Sequence, residues 1–128
     1  MEPYSSDSVR RKKRRKIPID LDQNPYIEGV AIVSGDGLPI ASALPRDMDE
    51  IFVSAMSAVI LNMSKGAVKE LGRGDLKRIL IVGSSGTIIL SKATEDAILC
   101  TLVKSEASLG IIFWNIENFS EKIARLLD

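Results

Sequence analysis

Apolar positions along the chain gather in short β-branched runs and, in two longer segments, recur with a period near 3.6. Residues 28–34 (EGVAIVS) and 38–43 (LPIASA) are short runs with β-branched content, and Gly35-Asp36-Gly37 between them supplies the glycines of a tight hairpin. Two strands are predicted, the second at a sheet edge or beginning beside the turn, because Pro39 has no amide to give to a ladder. After Gly72-Arg73-Gly74 the pattern resumes in residues 76–82 (LKRILIV), 87–91 (TIILS) and 96–103 (DAILCTLV), joined by Gly83-Ser84-Ser85-Gly86 and by Ala93-Thr94-Glu95. Links this short predict an antiparallel meander.

Residues 49–71 contain no proline and keep a helical period, with Asp47 or Asp49 as N-cap and Gly72 just past the end. At ~1.5 Å per residue such a helix is roughly 34 Å long, about the width of a domain this size. Spaced at ~100° per residue, Phe52, Ala55, Met56, Val59, Met63 and Ala67 share one face. Val53, Ser57, Ile60, Ser64, Val68 and Leu71 share an adjoining face, and Ser54, Ala58, Asn62, Lys65 and Lys69 form the wet side. One sheet covers a stripe a little over ~100° wide, so an apolar arc nearer ~180° calls for a second partner. The first face is expected on the sheet and the second, with its small Ser57 and Ser64, against another helix. A second helix is predicted over residues 108–127 from Leu109, Ile112, Ile116, Phe119, Ile123 and Leu127, capped by Ser108 or Ser105. The expected class is α+β: a single five-stranded antiparallel sheet, a long helix between strands 2 and 3, and a C-terminal helix.

Charge divides the chain in a way that its formal net charge of zero conceals. Residues 1–16 hold seven Lys/Arg against two acids, and the remainder ten against fifteen, so a tail of +5 precedes a body of −5. The run Arg10, Arg11, Lys12, Lys13, Arg14, Arg15, Lys16 repels itself and has little apolar surface, and residues 1–25 are expected to be a disordered basic tail and lead-in. Residues 26–128 are expected to form one domain. The tail suits an anionic surface, whether lipid, nucleic acid or acidic protein, and no aromatic is interleaved with it for base stacking. Apolar runs are shorter than ten residues, no leader pattern opens the chain, and the lone Cys100 has no thiol partner. A cytoplasmic location is expected.

The residues for catalysis are scarce. The chain has no histidine, which removes the usual general base, the usual zinc ligand and every Ser-His or Cys-His nucleophile pair. Gly83-Ser84-Ser85-Gly86-Thr87 lacks the Gly-Lys-Ser/Thr ending of a phosphate loop and precedes a strand, and Gly35-Asp36-Gly37 opens no helix, so both read as turns. Asp20 with Asp22, Asp47 with Asp49 and Glu50, and Glu95 with Asp96 lack calcium-loop spacing. Cys100 alternates with apolar neighbours as a small core hydrophobe. Trp114 falls away from the apolar stripe of the last helix. Either residues 110–114 extend a strand, or Trp114 and Ile111 form a partner-contact patch. No catalytic set, cofactor, metal or small-molecule substrate is expected.

EGVAIVSGDGLPIASALP, a long Met- and Ala-bearing helix ending in ELGRGDL, the ILIVG strand and SLGIIFW together resemble the roadblock family over residues 27–127. That family includes the dynein light chains called roadblock, scaffold subunits that recruit Rag GTPases, and a bacterial gliding-motility regulator acting on a Ras-like GTPase. The resemblance implies a homodimer in which the long helices pair antiparallel and edge strands join two sheets. Here these would be residues 49–71 and 76–82, with Val53, Ser57, Ile60, Ser64, Val68, Leu71, Leu76, Arg78 and Leu80 at the interface. It also implies a small Ras-like GTPase as partner and no shared catalytic residues; nothing marks Arg46, Arg73 or Arg78 as an arginine finger. The polybasic N-terminus departs from the simplest members. Two other classes stay open: a small-ligand sensor, since sheets flanked by helices also enclose pockets, and an electrostatic adaptor working through the tail.

Overall fold

A computed structural model describes residues 24–127, so the basic run at 10–16 and most of the lead-in lie outside the described residues. The elements are β1 (Ile27–Ser34), β2 (Pro39–Ala43), α1 (Glu50–Glu70), β3 (Arg78–Gly83), β4 (Gly86–Thr94), β5 (Ala97–Val103) and α2 (Leu109–Leu127). All strands pair antiparallel in one sheet of order β2-β1-β5-β4-β3. This is the expected α+β architecture. The largest boundary difference is in β4, which continues to Thr94 because Lys92 and Thr94 still pair with Ile98 and Ala97 across a bulge.

The β1–β2 hairpin closes where the glycines place it. Gly37 adopts φ +87°, a conformation that costs a side-chain-bearing residue, and its amide donates to the Ser34 carbonyl at 2.9 Å. The turn also rests against α1: a Cβ at Gly37 would lie 3.3 Å from Ala58 Cβ and 3.4 Å from Ala55 Cα. Pro39 opens β2 at the sheet edge, as its missing amide requires. Asp49 Oδ1 accepts from the Ile51 amide at 2.9 Å to cap α1. At the other end Gly72 turns with φ +66° and the Arg73 amide donates to the Val68 carbonyl at 2.7 Å.

Alternation along the strands divides the core between the two faces of the sheet. On one face Ala31, Val33, Leu90, Ile98, Cys100 and Leu102 meet Val53, Ala58 and Leu61 of α1. On the other Val30, Ile32, Ile89, Leu99 and Val103 meet Ile112, Ile116, Phe119 and Ile123 of α2. The central strand β5 is buried at every position, since it has a strand on each side and a helix layer on each face.

Candidate interaction surface

The long helix sits on the sheet by the face that periodicity assigned to water and to a partner. Its buried residues are Val53, Ser54, Ser57, Ala58 and Leu61. Phe52, Val59 and Met63, expected on the sheet, are 65%, 58% and 72% exposed, and Ala55 and Ala67 beside them are exposed too. The expected roles of the two faces are thus exchanged. Small side chains explain the exchange: Ser54, Ser57 and Ala58 let the helix lie close to the strands and to Gly37, where phenylalanine or methionine would hold it off. The Ser57 hydroxyl donates to the Val53 carbonyl at 2.7 Å, whereas the buried Ser54 hydroxyl has no partner. By length and composition alone α1 could cross a bilayer. In the fold its apolarity is divided between a sheet-facing side and an open side.

The sheet also has an open edge. β3 pairs with β4 on one flank, and no described strand pairs with the other, so its outer backbone groups are free for a ladder. Leu80 and Val82 point out from that strand, Val82 with 72% exposure. Ile79 and Ile88 pack at the rim of the α1-side core and stay only half-buried, as does Ile81. An apolar helix face and an unpaired strand with half-covered isoleucines together make a surface that a second protein can complete.

The Roadblock/LC7 domain family model matches residues 20–103. The chain belongs to this family. Over 108 residues the roadblock chain is 32% identical to the uncharacterized protein MJ1340 of Methanocaldococcus jannaschii, covering 84% of this chain and 94% of that one. Its fold superposes on Myxococcus xanthus MglB with a TM-score of 0.85 at 16% identity, covering 99% of this chain and 92% of MglB. A further solved structure, MglB with a tetrameric arrangement, matches with a TM-score of 0.81 at 16% identity, covering 98% of this chain and 96% of that one.

Within this roadblock domain the residues expected at a self-interface fall into three groups. Val53 and Ser57 are buried between α1 and the sheet and are corrected to core positions. Ile60, Ser64, Val68 and Leu76 are half-buried, with Ile60 and Leu76 against the α1-side core. Leu71 and Leu80 are exposed. Arg78 is engaged within the chain: its guanidinium lies 3.1 Å from Glu117 Oε1 and 4.3 Å from the centre of the Phe113 ring, tying β3 to α2. This pairing across 39 residues has no signature in the sequence. Residues 110–114 are helical, and Ile111 and Trp114 lie exposed at 60% and 65%. Arg46 and Arg73 are exposed in loops.

A groove beside the C-terminal half of α1 is lined by Lys65, Lys69, Asp75, Leu76, Lys92 and Glu95, and it is open to solvent. Within it the Lys92 ammonium, 3.0 Å from Glu95, holds that carboxyl below its ordinary range. Among the described residues no group of three or more His, Cys, Asp or Glu stands together to hold a metal ion. The Cys100 thiol is pushed up by burial, while the neighbouring Ser57 hydroxyl works the other way. Native protein is therefore expected to resist iodoacetamide, with Cys100 alkylated at the rate of global unfolding. A raised thiol pKa also fixes the sign of its pH effect. Its contribution to stability is intact below the unfolded thiol value of ~8.5 and is lost as pH rises towards the folded value. Urea midpoints compared between neutral and alkaline pH, with Cys100→Ala as control, read this out.

Proposed function

We propose that this roadblock domain is a non-catalytic, cytoplasmic platform that pairs with a second copy of itself and binds a small Ras-like GTPase, which it regulates or scaffolds. The observation that carries the reading is the joint exposure of the apolar side of α1 and the edge of β3. Both surfaces are already exposed in the single chain, so burying them requires no rearrangement of the core. Solved relatives of the fold include MglB in a tetrameric arrangement, which supports self-association. The resemblance to regulators and scaffolds of small GTPases supports the choice of partner.

The test is binding of the purified full chain to small Ras-like GTPases encoded beside it, each loaded in turn with a diphosphate and a non-hydrolysable triphosphate nucleotide. Saturable binding that differs between the two states is the expected result, because a regulator shifts a nucleotide cycle only through unequal affinity for its states. Equal binding in both would make the domain a tether. No binding in either state would end the GTPase reading.

A further inference from the structure

Two features that the proposed function leaves unused are rooted near the start of α2. The first is the outward side of that helix, which lies on the opposite face of the sheet from α1. Ile112, Ile116, Phe119 and Ile123 are buried beneath it, so at ~100° per residue Ile111, Trp114, Asn118, Lys122 and Arg125 run along its outward ridge. Residues 107–116 carry no charge, and within them Ile111 and Trp114 are exposed. Of the acids on α2, Glu117 is tied to Arg78 at 3.1 Å, and Glu121 stands on the flank of the ridge next to Lys122. The second feature is the run of seven cations at 10–16. The Lys104 amide donates to the Tyr26 carbonyl at 2.9 Å, so the chain enters β1 beside the residues that lead from β5 into α2. Eight residues separate Lys16 from Asn24, a reach of at most roughly 28 Å, which is about the length of α2.

We infer that the outward side of α2 and the basic run together bind the surface of an anionic lipid bilayer, with Ile111 and Trp114 entering the boundary between headgroups and acyl chains. Cations alone suit any polyanion, so the choice of lipid rests on the helix. An exposed isoleucine gains nothing from a phosphate backbone, whereas an indole and an aliphatic side chain one turn apart suit a membrane interface. Each half is weak without the other. A polybasic segment is drawn to anionic headgroups without inserting, and two apolar side chains bury little area, so firm attachment takes both signals. Because α1 lies on the other face of the sheet, its open side stays in water when α2 meets the bilayer. Membrane attachment therefore stands apart from self-pairing and from GTPase binding, and leaves the α1 surface accessible.

Trp114 is the only tryptophan in the chain, so its emission reports on this surface alone. The full chain is mixed with phosphatidylcholine vesicles, with and without about one-third phosphatidylserine. With the anionic vesicles it is expected to cosediment, with Trp114 emission shifted to the blue and acrylamide quenching reduced, and added salt should weaken all three. Phosphatidylcholine alone should give none of them. Ile111→Glu, at an exposed position, is expected to lower partitioning roughly tenfold or more. Neutralising three cations with Arg11→Gln, Lys13→Gln and Arg15→Gln should lower it roughly a hundredfold. Absence of cosedimentation at low salt would overturn the inference, as would cosedimentation with Trp114 emission unchanged, since the tail would then act alone. The same blue shift with duplex DNA in place of vesicles would reassign the surface to nucleic acid. A Trp114 already shielded from acrylamide without vesicles would mean that another part of the chain or a second copy covers it, and would overturn the inference too.

Discussion

Ser57→Glu is expected to unfold this domain, while Ser57→Ala leaves it nearly as stable as the wild type. Ser57 is fully buried between α1 and the sheet, and its hydroxyl already donates to a helix carbonyl. Alanine removes that bond without orphaning the carbonyl, at a cost within about 1 kcal/mol. Glutamate brings a larger side chain and an uncompensated buried charge, costing about 3–5 kcal/mol or more where total stability is typically ~5–15. Circular dichroism through a urea titration measures both variants. A cooperative transition for Ser57→Glu near the wild-type midpoint would mean that α1 meets the sheet with another face.

The second large effect is on assembly. In Val59→Glu with Met63→Glu, a pair joined through the open side of α1 would hold four carboxylates in its interface, yet both positions are open in the single chain. The fold should keep its urea midpoint within about 0.5 kcal/mol, as exposed substitutions do. Juxtaposed like charges cost several kcal/mol, so the dimer should dissociate by roughly a hundredfold or more. Sedimentation velocity across a concentration series reads the change. A variant that remains as dimeric as the wild type would remove α1 from the interface and leave the β3 edge as the surface to examine.

These two variants differ by which side of one helix they touch, and that side was the part of the structure the sequence did not disclose. Element order was legible because its marks are local: Gly37 and Pro39 at the first hairpin, Asp49 and Gly72 at the ends of α1, and short β-branched apolar runs bounded by turn residues in the strands. A helix apolar over half its circumference carries no local mark of which half meets the sheet. That choice depends on the distance between layers, set by the hairpin tip at Gly37 against Ala55 and Ala58, and small residues can fit it where large ones cannot. The serines pointed rightly to close packing and wrongly to its partner. Trp114 was ambiguous for a related reason: where α2 begins decides whether it projects outward, and the apolar residues 109–113 suit a strand as well as a helix. The edge position of β2 could be read from Pro39, but the contact of Arg78 with Glu117 and Phe113 exists only once α2 crosses the sheet.

The placement of β5 has a consequence for the chain as it is made. β5 is the last strand in sequence yet lies between β1 and β4, so the first hairpin with α1 and the later β3–β4 hairpin are two separate pieces until residues 97–103 arrive. A growing chain on the ribosome thus carries β1 with one ladder edge open and with Val30 and Ile32, on the side that α2 will later cover, exposed. Closing β1 on β5 spans some seventy residues, a long-range pairing of the kind that slows folding and exposes intermediates to aggregation. A chain truncated before Ala97 should behave as aggregating fragments, and the strand synthesised last among the five is the one that makes the other four a sheet.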